Sequence, residues 1–164
     1  MARAPLIAWL VLTLALVLAA DLRAEEWGGI TPGASTIETV RARYGVPSKE
    51  SREKVDGYDT TRWIYEGSKA PAGVTRLSVE FGLLIAAGYR PDLVRVFVVE
   101  PHQGVFNRRT ILEGWGSPDR VGREEGRTLF FYKAGLVVYL DDTGEDTRSM
   151  YFTIPQPDPA PATK

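Results

Sequence analysis

Apolar and polar residues alternate with a period of two over several short runs, most cleanly in Leu77-Ser78-Val79-Glu80-Phe81. That period marks a strand with one buried face. Residues 61–66 are rich in β-formers and bounded by Gly67, and residues 94–99 read as a third strand. Farther along, the runs 128–133, 136–140 and 147–154 repeat the pattern. Ala134-Gly135 makes a tight turn between the first two of these, and residues 141–146 make a longer one. The apolar stretch from Gly82 to Gly88 either extends the second strand or forms a loop.

Two segments follow the helical period instead. Ile37, Val40 and Tyr44 fall on one stripe, as do Ile111, Leu112 and Trp115. Ser35 and Glu38 have the spacing of a capping box, and Asn107 can cap the second segment. Gly45 with Pro47 and Gly116 with Pro118 are stop signals lying 71 residues apart. Gly114 inside the second helix costs it about 1 kcal/mol relative to Ala, so tertiary packing must support it. The fold class expected is α+β, with two tandem units of a helix plus a three-stranded antiparallel sheet. The first unit covers residues 25–100 and the second residues 101–154. The charged stretch after each helix reads as a connector.

Both ends differ from this body. Residues 5–20 carry no charge and follow Arg3, and Leu22-Arg23-Ala24 is an acceptable cleavage site. These are the parts of a secretory signal peptide over residues 1–24. Ala19 offers a second cleavage point, and retention as an anchor is the alternative. A periplasmic or secreted location is therefore expected, with no stable membrane anchor after cleavage. The Pro-rich segment 155–164 reads as an extended, disordered tail.

Composition narrows the chemistry. Lys and Arg total 20 against 21 Asp and Glu, a formal net charge of -1, so the basic surplus of a nucleic-acid binder is missing. Without Cys there are no disulfides, thiol nucleophiles or Cys-ligated metals, and a single His cannot build a three-His site. His102 sits in Pro101-His102-Gln103-Gly104 and reads as a loop residue, with no patterned nucleophile or orienting acid. Asp141, Asp142, Glu145 and Asp146 lack the spacing of an EF-hand and read as a solvated turn. No catalytic residues, metal ligands or cofactors are assigned, and the chain is read as a non-enzyme.

The string 32–40, with Tyr44-Gly45-Val46-Pro47, Trp63-Ile64-Tyr65 and Phe81, resembles the SmpA/OmlA (BamE-like) domain over residues 30–99. Gly116-x-Pro118 and Phe130-x-Tyr132 echo it in the second half. Two such units are similar in architecture to the β-lactamase inhibitory protein. The resemblance implies a protein-binding role in the bacterial cell envelope, through a concave sheet face. Aromatic residues on an uncovered sheet face are common anchors of such surfaces, so Phe97, Tyr139 and Tyr151 are the candidate partner-binding residues. A rival arrangement, with the half-sheets packed on each other over these rings, stays open. The function expected is an exported, non-catalytic module that binds another envelope or secreted protein. The alternative is an exported small-ligand-binding or hydrolytic protein with a pocket between the two units.

Overall fold

A computed structural model of the chain describes residues 24–156. The segment 1–24 expected to be a signal peptide, save Ala24, and the part of the expected Pro-rich tail beyond Gln156 lie outside the described residues.

The chain is mostly β, and the expected pair of helix-plus-three-strand units is not what it forms. One antiparallel sheet of eight strands runs in the order β1-β2-β3-β4-β8-β7-β6-β5. Its first four strands are β1 (Lys49–Val55), β2 (Tyr58–Glu66), β3 (Val74–Ile85) and β4 (Gly88–Pro101). The other four are β5 (Arg120–Glu124), β6 (Arg127–Tyr132), β7 (Leu136–Leu140) and β8 (Thr147–Thr153). Helices α1 (Ile37–Tyr44) and α2 (Arg108–Trp115) precede the two sets. Gly82 to Ile85 extends β3 rather than forming a loop.

The stretches read as connectors are β1 and β5. Their charges hid them, because edge strands carry charged residues to discourage pairing with other chains. A sharper signal was present in the turns. Asp56-Gly57 and Glu125-Gly126 each join two strands with both residues at positive φ, the geometry of a type I′ hairpin turn.

One face of the sheet is covered by the helices and holds the core. Trp63, Tyr65, Leu77, Val79 and Phe81 supply it from β2 and β3, and Phe130, Leu136, Val138, Met150 and Phe152 from β6 to β8. Val40 of α1 and Ile111 of α2 are each at most 1% exposed against it. The join between β4 and β8 is closed by Phe97 and Phe152, stacked at 4.5 Å with planes 6° apart. Burying two such rings removes about 150–250 Å² of surface each, so the seam is core rather than a boundary.

The helix ends are set locally. α1 begins one residue later than Ser35 would place it: Thr36 is the cap, and Thr36 and Thr39 hydrogen-bond each other's backbone N–H. Ser35 instead accepts the N–H of Thr31 at 2.9 Å. Gly45 and Gly116 end the helices at φ 74° and 76°, donating to Arg41 O and Leu112 O. Tyr65 OH then donates to Gly45 O and Tyr132 OH to Gly116 O, both at 3.1 Å. Burial pushes both phenols' pKa values up, that of Tyr65 to about 12.

Candidate protein-binding face

The strand alternation that fills the core leaves a second face, and no described element lies over it. Its central positions are Ile64, Val96, Val98, Phe131, Val137 and Tyr139, all partly exposed, with Tyr151 at 40% exposure. Tyr151 sits on the β4–β8 seam directly opposite Val98.

Tyr139 and Tyr151 meet in an edge-to-face contact with ring centroids 5.4 Å apart. Tyr139 OH donates to Glu124 Oε2 at 2.6 Å. That hydrogen bond, with partial burial and the Glu124 charge, pushes the Tyr139 hydroxyl up to about 12. The hydroxyl therefore stays protonated and serves as a donor at any physiological pH. Together with Glu125, Arg127, Arg148 and Ser149, the two rings line a depression of about 320 Å³.

Phe97 is not part of this face. It is fully buried and stacked on Phe152, so it cannot touch a partner directly. The neighbouring residues differ from strict alternation for a related reason. The β3–β4 register pairs Glu80 with Val96 and Phe81 with Val94, so Arg95 is the extra residue of a bulge. The bulge turns Val94 into the core, where it is 0% exposed, and Arg95 toward Glu80 on the open side.

Over β1 to β4 the open face is ionic. Glu80 accepts from Arg62 at 2.7 Å and from Arg95 at 2.5 Å, and Glu53 lies 3.7 Å from Arg62. A second row runs Lys49–Glu66–Arg76–Glu100, at 2.6, 3.3 and 3.6 Å. The bond from Lys49, with Arg76 beside it, holds the Glu66 carboxyl below its ordinary value. Charge rows that satisfy themselves leave this half without a strong field. The half over β6 to β8 carries the paired rings of Tyr139 and Tyr151 instead.

The sequence reading did not single out Glu80, Arg62 or Arg148. Alternation around Ser78 and Glu80 marked an outward acid, but its partners come from strands separated in sequence. His102 sits in the β4–α2 link, where its N–H donates to Gly73 O and its carbonyl accepts from Val105. Asp141 turns its carboxylate inward to the turn, accepting from Thr143, Glu145 and Asp146. The Thr143 hydroxyl, first among these donors, holds that carboxyl below its usual range. A smaller cavity of about 210 Å³ lies between Tyr58, Tyr89 and Arg95, within the first four strands rather than between the halves.

No family profile matches the sequence, and no curated protein matches it. Among solved structures the chain is similar to a DUF4309 family protein (YjgB) from Bacillus subtilis, at 14% identity. The likeness covers 80% of this chain and 87% of that one, with a TM-score of 0.49. The resemblance to a BamE-like domain does not hold, because one continuous eight-stranded antiparallel sheet is not a pair of helix-plus-three-strand units.

Proposed function

We propose that this chain is an exported, non-catalytic protein-binding module whose contact surface is the open face of the sheet, centred on Tyr139 and Tyr151. The observation that carries the reading is the asymmetry between the two faces. Helices cover one, while the other, around the β4–β8 seam and over β6 to β8, presents partly exposed apolar and aromatic side chains with nothing described above them. Rigid rings on a sheet lose little conformational entropy on binding, and interface energy concentrates on a few such anchors. Docking on the face rather than the edge is favoured because both edge strands are dominated by charged residues. Export rests on the uncharged run at residues 5–20.

Affinity capture from an envelope extract or culture medium tests the proposal, comparing wild type, the Tyr139→Ala/Tyr151→Ala double variant and Leu112→Ala. Leu112 is 37% exposed on α2, so it samples the helix side. A partner held by wild type and Leu112→Ala should bind the double variant at least about tenfold more weakly. Equal recovery of every partner by all three proteins removes the two tyrosines from the contact surface.

A further inference from the structure

The open face repeats its own register, and the repeat is broken at one charge. In the first set of strands Arg95 is the bulge residue beside Glu80, and Arg62 lies opposite Glu80 on the next strand. In the second set the register pairs Tyr139 with Ser149 and Leu140 with Thr147, leaving Arg148 as the extra residue. Leu129 lies opposite Tyr139 on the next strand. Arg62–Glu80–Arg95 and Leu129–Tyr139–Arg148 thus occupy matching places.

The electrostatics of the two sets differ. Glu80 holds both guanidinium groups of its set. No carboxylate stands at the matching place in the other, and exposed Arg148 makes no hydrogen bond or ion pair with any described residue. The remaining charged groups of the depression are engaged. Glu124 accepts the Tyr139 hydroxyl, and Arg127 is held by Glu125 and Asp142. Arg148 is the cation there with a vacant fork, beside two aromatic rings.

We infer that the partner bound by this face supplies to Arg148 the carboxylate that Glu80 supplies to Arg95. The partner's contact is an Asp or Glu side chain set next to an apolar or aromatic residue that packs on Tyr139 and Tyr151. The inference rests on the protein-binding reading above and adds the chemistry of the partner. A guanidinium presents parallel donors that match the two oxygens of a carboxylate. An exposed ion pair alone contributes little in water, and the adjacent rings give it weight by excluding solvent around it. A phosphate backbone fits less well, since it calls for a run of cations and Arg148 is the one cation of this depression without a partner among the described residues.

The test uses two small probes and the folded chain, followed by NMR of the arginine Nε–H groups and backbone amides. N-acetyl-L-phenylalanine carries a ring and a carboxylate, and N-acetyl-L-phenylalaninamide is its uncharged twin. The acid should shift Arg148 Nε–H and the amides of Ser149 and Tyr151 saturably, with a dissociation constant on the order of 1–10 mM. It should bind about fivefold or more tightly than the amide. Arg148→Gln should abolish that preference, while the Arg95 Nε–H stays unmoved in both proteins. Equal response to acid and amide, or a preference that survives Arg148→Gln, overturns the assignment. No natural partner enters this measurement, so it stands apart from the capture experiment. Partner loss in the double tyrosine variant without any carboxylate preference would leave the binding face in place and remove the role of Arg148.

Discussion

Phe97 and Tyr151 lie one step apart in the β4–β8 register, since Phe97 pairs with Phe152 and Val98 with Tyr151. Strand alternation sends their rings to opposite sides of the sheet. Phe97 is 0% exposed and Tyr151 40% exposed, so the same kind of residue stands in two different environments. Phe97→Ala should lower unfolding stability by about 3–5 kcal/mol, because the cavity it leaves is walled by Phe152 and the core around it. Tyr151→Ala should change stability by about 1 kcal/mol or less, since half-open surface positions contribute little to folding. Urea denaturation of the two variants measures both. A large cost at Tyr151 would mean that its ring packs as core, leaving the open face without its central anchor.

At the scale of elements, what the sequence made legible depends on how far apart the deciding residues lie. The six inner strands and both helices were visible because their signals are local: a period of two, a period near 3.6, and Gly-x-Pro stops. Edge strands β1 and β5 were missed because charge at an edge imitates a loop, although Asp56-Gly57 is a strong hairpin turn in its own right. The turn of Val94 into the core was not legible either, since a bulge depends on the facing strand. The start of α1 shows the limit at its finest. Ser35/Glu38 and Thr36/Thr39 are both three-residue spacings of polar groups, and the chain's path at Thr31 decides between them by engaging Ser35. Thr36→Ala should therefore cost about 1 kcal/mol, and Glu38→Ala about 0.5 kcal/mol or less. Equilibrium unfolding of the pair separates the two capping schemes, and a reversed order would restore the Ser35/Glu38 one.

Across the whole molecule, the sheet formed by the described residues ends at β1 and β5, and whether copies pair edge to edge rests on how those ends are finished. β1 has the sequence Lys-Glu-Ser-Arg-Glu-Lys-Val, and all but its last residue are exposed. β5 is only five residues long and holds two arginines and a glutamate. Short, charged edges discourage a second chain from extending the ladder. The role of the β1 charges in folding can be separated from their role as guards. Arg52 and Lys54 make only long, exposed ion pairs, 3.8 Å to Glu50 and 3.5 Å to Asp59, and such pairs add little to stability. Arg52→Val/Lys54→Val should therefore keep the thermal midpoint within about 2–4 °C. The same variant should elute from size-exclusion chromatography as dimers and larger species at concentrations where the parent is monodisperse, because the flanking strand is then β-prone and apolar. If it instead elutes like the parent, the edge charges are not what holds copies of the sheet apart, and the twist or shortness of the edges must do so.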